Sequence, residues 1–168
     1  MLRVLISILI FVFMLIFQGV SVAGTPNVLY AGVSLAKEVP SDLMGTWRVA
    51  AKLTNTDSPQ NFKSTSVDIW NLSRHNDVIK LSNPFTGASA SINVSYVNKN
   101  SIKFTKVGDY NNQKLTDCVE ITIDGNSFRG VNTLSLETYS EKDKSLINEK
   151  KAIYQLYGEK ISGADVLD

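Results

Sequence analysis

The sequence predicts an all-β fold, an eight-stranded antiparallel up-and-down barrel preceded by a signal peptide. Three observations predict it. Apolar residues alternate with polar ones in eight separate stretches, the period of a strand with one buried face. The links between those stretches are mostly short and rich in Asn, Asp, Gly and Pro, the residues of turns. Beyond the N-terminal apolar run, no stretch has the pattern of a long helix. Strands joined by short links form a meander, and a twisted meander of this size tends to close, which removes its edges. A two-sheet sandwich is the rival arrangement.

The first 23 residues carry the marks of an export signal. Arg3 supplies a basic start, Val4 to Phe17 is apolar except for Ser7, and Ser21-Val22-Ala23 ends in small residues. The apolar run is shorter than the roughly 20 residues of a bilayer span, so cleavage after Ala23 is expected, with no stable membrane span afterwards. No cysteine lies near the cut for a lipid anchor. The expected organisation is a signal peptide over 1–23, a lead-in over 24–40 that docks on the barrel, and the barrel domain over 41–168. The expected location is the periplasm or the outside of the cell. The formal net charge of +1 falls to zero when Arg3 is removed, which leaves no basic field for nucleic acid. Cys118 is the one cysteine, so no intramolecular disulfide is available and stability must come from apolar burial.

The first strand, Asp42 to Leu53, places Trp47, Val49, Ala51 and Leu53 on one face, with Gly45 turning the chain into it. Asn55 to Ser64 is a long loop. Thr65 to Leu72 is a second strand with apolar residues on both faces, Val67 and Ile69 against Trp70 and Leu72, so one tryptophan is expected on the outside. Asp77 to Ser82 follows, and Asn83 to Gly87 is a turn. Ala88 to Val97 alternates cleanly, with Ala90, Ile92, Val94 and Tyr96 on one side. Ser101 to Val107 points Ile102 and Phe104 inward. Gly108 to Gln113 is a polar loop. Leu115 to Ile123 points Leu115, Val119, Ile121 and Ile123 inward with Asp117 among them. Asp124-Gly125-Asn126 is a strong hairpin turn. Ser127 to Thr138 turns Phe128, Gly130, Asn132, Leu134 and Leu136 inward. After a charged loop over Ser140 to Ile147, Asn148 to Tyr157 carries Ala152, Tyr154 and Leu156 inward.

Gly45-Thr46-Trp47 on the first strand, Thr116-Asp117-Cys118 on the sixth and Leu156-Tyr157-Gly158 on the last stand in the order of three short motifs of the lipocalins and the wider calycin barrels. The chain resembles that family over residues 41–158. The resemblance implies a lipocalin-like barrel with Trp47 plugging its closed end. The third motif of the family continues with an arginine that packs over that tryptophan. Here Glu159 follows Gly158, with Lys160 next. The family's long C-terminal helix and its usual cysteines are absent.

The leading expectation is a non-enzymatic binding protein that holds a small lipophilic ligand, with no metal and no cofactor. The expected cavity lining is Val49, Ala51, Ile92, Val94, Phe104, Asp117, Ile121, Asn132 and Leu134. Asp117 and Asn132 stand out, because polar groups on apolar faces must find hydrogen bonds. Ala51, Ala90 and Gly130 leave room between them. A filled barrel that binds a protein or glycan through Phe62, Phe85 and Tyr110 is the alternative, and a cyclase or isomerase using Asp117 is a second one. His75 is the one histidine. With Asp77 it falls short of the three or four ligands a metal needs, so a solvated histidine is expected. Cys118 lies on the face opposite Val119 and Ile121 and is expected to be a half-buried filler.

Overall fold

The computed structural model describes residues 35–163 and the backbone of Asp165–Leu167. The expected signal peptide over 1–23 and the lead-in up to residue 34 lie outside the described residues. Two short 3₁₀ turns, Leu35–Lys37 and Ser41–Leu43, precede the strands β1 (Gly45–Thr56), β2 (Thr65–His75), β3 (Val78–Ser82), β4 (Ser89–Asn98), β5 (Ser101–Tyr110), β6 (Gln113–Asp124), β7 (Ser127–Tyr139) and β8 (Leu146–Ser162). Each strand pairs antiparallel with the next, and β1 pairs antiparallel with both β2 and β8. The eight strands form a closed ring. A ninth strand, β9 (Asp165–Leu167), runs parallel to β2 at Ser73–His75, beyond the residues of β2 that β1 engages.

Alternation decides what fills the ring. Trp47, Leu72, Ile79, Ile102, Phe104, Ile121 and Phe128 are fully buried or nearly so. The outer face carries Arg48, Lys52, Lys80, Lys103, Glu120 and Glu159, all outside the buried set. The same face also exposes apolar residues, among them Val67, Val131, Ile153 and Tyr157.

An antiparallel meander sends successive loops to alternate ends. The links at residues 57–64, 83–88, 111–112 and 140–145 therefore share one end, the mouth. The links at 76–77, 99–100 and 125–126 share the other. That second end is closed by aromatic packing. The Phe128 ring lies 5.1 Å from Trp47 and 5.9 Å from Trp70, and Trp70 meets Phe104 edge-on at 6.4 Å. The Trp47 indole N–H donates to Leu43 O at 2.8 Å. Arg74 donates to the carbonyls of Ala36 and Val39 at 3.2 and 2.9 Å, which fastens the 3₁₀ segment over the floor.

The structure corrects several local expectations. Trp70 lies inside, with only 9% of its surface exposed. It pairs directly with Trp47 across β1 and β2, and cross-strand partners point to the same side. Tyr96 points outward, because a bulge between Val94 and Tyr96 shifts the register and brings Val97 inward instead. Gly108 to Gln113 is not a loop. β5 and β6 run on to Tyr110 and Gln113, joined by Asn111-Asn112 with Asn111 at φ 57°. β8 continues past Tyr157 to Ser162 because β1 offers it a second ladder.

Lys160 takes the place over Trp47. Positions 152, 154, 156, 158 and 160 of β8 share the inward parity, so Glu159 points out to pair with Arg48 at 3.6 Å. The Lys160 ammonium sits 5.3 Å from the Trp47 ring centroid and donates to Asp42 O at 2.7 Å.

Candidate functional site

Above the Trp70 and Phe104 rings the interior opens into a chamber of about 310 Å³. Its apolar wall comes from Val49 and Ala51 on β1, Val119 on β6, Leu134 on β7 and Leu156 on β8. The β1–β2 loop roofs it. That loop is tied to β8 by Lys151 N–H donating to Asp57 at 2.9 Å and by Lys150 donating to Asn61 at 3.0 Å. Phe62 folds in from the loop, half-buried against the core. The Tyr154 hydroxyl donates to Lys63 O at 3.0 Å, and burial pushes that hydroxyl above the usual tyrosine range.

One side of the chamber is polar. Asp117 is 6% exposed and sits directly opposite Lys106 in the β5–β6 ladder. Lys106 Nζ lies 2.9 Å from Asp117 Oδ2, and Asn132 Nδ2 lies 3.4 Å from Asp117 Oδ1. The carboxylate is therefore held at both oxygens. Asn132 Oδ1 is buried with no hydrogen-bond partner among the described residues. Asp68 enters from β2 near the mouth, where its carboxylate accepts from Asn83 and from Ile69 N–H. A second cavity of about 330 Å³, between the β3–β4 loop and β5–β6, shares Asp68, Leu81, Lys106, Leu115 and Asp117 with the first.

Val49, Ala51, Phe104, Asp117, Asn132 and Leu134 come together around the chamber. Ile92, Val94 and Ile121 do not line it. Ile121 and Ile92 are buried in the core, and Val94 packs against that core opposite Phe104. Phe85 and Tyr110 stand at the mouth, strongly exposed. His75 ends β2 on the surface, its Nδ1 at 3.3 Å from the Asn76 amide. Cys118 is a half-buried free thiol. Among the described residues no group of three or more His, Cys, Asp or Glu is placed to hold a metal, and no helix is long and apolar enough to cross a membrane.

No family model matches the sequence, and no curated protein matches it. Among solved structures, that of EF1p2_mFAP2b bound to DFHBI is similar over 77% of this chain and 100% of that chain, at 14% identity and a TM-score of 0.40. So low a score carries no argument about this chain, and the site rests on its own geometry.

Lys106 and Asp68 are the functional candidates that sequence reasoning passed over. Lys106 stands two residues beyond Phe104 and shares its inward parity, and Asp68 stands two before Trp70. Period two ties each to its neighbour's face, but which face of β2 turns inward is set by the pairing of Trp70 with Trp47. Their charge masked them, since charges on strands ordinarily face water.

Proposed function

We propose that the chain is an exported, non-enzymatic barrel that holds a small, largely hydrophobic molecule in the chamber above Trp70 and Phe104. The observation that carries this reading is the chamber itself. It is apolar on most of its wall, closed below by packed rings and reached from the loop end. Small-ligand sites are concave, mostly apolar and furnished with a few placed polar groups. Burial of apolar ligand surface would supply about 25 cal/mol per Å² before the costs of binding. The apolar run Val4 to Phe17 and the small residues before Gly24 support export.

A fluorescence titration with N-phenyl-1-naphthylamine tests the binding reading. The wild-type chain is expected to enhance and blue-shift the emission. Ala51→Trp, which puts an indole into the chamber from β1, is expected to weaken binding by about tenfold or more, the loss of some 1.4 kcal/mol. A wild-type protein that never brightens the probe overturns the reading. N-terminal sequencing tests export, with Gly24 the expected first residue of the protein recovered outside the cytoplasm. An intact Met1 there counts against cleavage. The exposure of Phe85 and Tyr110, at 82% and 63%, favours the interaction module as a second reading. Binding of a protein or glycan that Phe85→Ser abolishes, with the chamber indifferent to every probe, would put it first.

A further inference from the structure

We propose that the ligand is an elongated amphiphile that lies through the barrel wall, its apolar end in the chamber and its polar end, free of negative charge, in a slit between β4 and β5. This deepens the chamber reading above and rests on it.

The slit begins in the pairing of the strands. β4 and β5 pair only from Asn93↔Thr105 to Asn98↔Ser101, the half nearer the closed end. Continued toward the mouth, that register would set Ser91 against Val107 and Ser89 against Asp109. Neither pair forms: there β4 pairs only with β3, and β5 only with β6. The two strands part, and the ladder between them stops. The second cavity, of about 330 Å³, occupies the parting, with Ser89 and Ala90 on one side and Lys106, Val107 and Gly108 on the other. Ala90, Lys106 and Gly108 have the inward parity of Ile92 and Phe104, whereas Ser89 and Val107 have the outward parity. A cavity bordered by both faces of two strands crosses the wall. Its inner end meets the chamber at Leu81, Lys106, Leu115 and Asp117, which border both.

Chemistry changes along this path. The chamber, at about 310 Å³, is small for a ligand site, and the slit lengthens it. In the slit, Asn83, Thr86, Ser89 and the parted strand edges offer hydrogen bonds that the chamber wall lacks. Three charged residues border the slit: Asp68, Lys106 and Asp117. Lys106 and Asp117 neutralise each other at 2.9 Å. Asp68 is held by neutral donors, the Asn83 amide and Ile69 N–H. The slit therefore keeps one negative charge, which disfavours an anionic head. The chamber's remaining charge, Lys63, sits on the β1–β2 loop and borders the chamber alone. An anionic head would turn to Lys63 and leave by the loop mouth instead.

Three probes with one ring system test both the path and the charge: 2-ethoxynaphthalene, the 2-naphthyl ether of tri(ethylene glycol), and the same ether with its terminal alcohol oxidised to a carboxylate. Each is titrated calorimetrically into the wild-type chain and into Ala90→Trp, which puts an indole into the slit. The wild type is expected to bind the alcohol-ended ether at least as tightly as 2-ethoxynaphthalene, and the carboxylate-ended ether more weakly than either. Ala90→Trp is expected to cost the alcohol-ended ether about tenfold more affinity than it costs 2-ethoxynaphthalene. Equal costs for the two, or a wild-type preference for the carboxylate, overturns the slit proposal and leaves the chamber reading standing. Failure of all three to bind the wild type overturns both. Should Ala90→Trp not fold, Val107→Trp, which closes the slit from its outer lip, takes its place with the same expected ratio.

Discussion

Trp47→Ala is expected to lower stability by about 3–5 kcal/mol, the range for emptying a large aromatic site in a packed core. Four observations place it at the top of that range. The side chain is fully buried. Its ring packs against Phe128 at 5.1 Å. Its N–H satisfies Leu43 O at 2.8 Å, a carbonyl that would otherwise end a 3₁₀ turn without a partner. Its face receives the Lys160 ammonium, which would lose its aromatic seat. Domains of this size are stable by only about 5–15 kcal/mol, so a large part of the reserve would go. Urea unfolding followed by circular dichroism reads the change. Trp47→Phe separates the terms, since it keeps most of the ring packing and abandons Leu43 O, and it is expected to cost about 1–3 kcal/mol. A Trp47→Ala midpoint within error of wild type would mean that the closed end is not held from this position.

How much of this was legible depends on the range of the interaction involved. Trp47, Val49 and Ala51 were readable because one strand alternates without ambiguity. Asp117 and Asn132 were readable because they interrupt apolar faces. Trp70 was not, because β2 is apolar on both sides. The choice is made by its pairing with Trp47, 23 positions away in the chain. Lys106 has the same character. A lysine faces inward only where a carboxylate waits for it, and Asp117 becomes its partner once the turn at Asn111-Asn112 sets the β5–β6 register. The bulge that turns Tyr96 outward carries no glycine to announce it. The orphaned oxygen of Asn132 lies furthest from the sequence, since it depends on which side of an amide faces a carboxylate on the neighbouring strand.

Gly158→Ala is expected to cost about 3 kcal/mol, although it adds a single methyl group. Gly158 lies opposite Phe128 on β7 and opposite Val49 on β1, with its inward face against the ring. A Cβ built there overlaps the Phe128 ring carbons Cε1, Cζ and Cδ1. The ring has nowhere to retreat, because Trp47 and Trp70 hold it at 5.1 and 5.9 Å. Overpacking of this kind costs about 1–3 kcal/mol and more where the neighbours are themselves fixed. The cause is separable from a general loss of strand quality. Alanine is no worse than glycine for the β8 backbone, so the penalty belongs to the pair with Phe128. Phe128→Leu on its own should destabilise, yet combined with Gly158→Ala it should cost less than the sum of the two, by about 1–2 kcal/mol in a double-mutant cycle. Additive costs would place the strain elsewhere. The same displacement has a functional readout, because Phe128 stacks on Trp70 and Trp70 forms the base of the chamber. A ring pushed toward Trp70 makes the chamber shallower. Gly158→Ala should therefore weaken probe binding at temperatures where the barrel is still folded, and Phe128→Leu in the double variant should restore it.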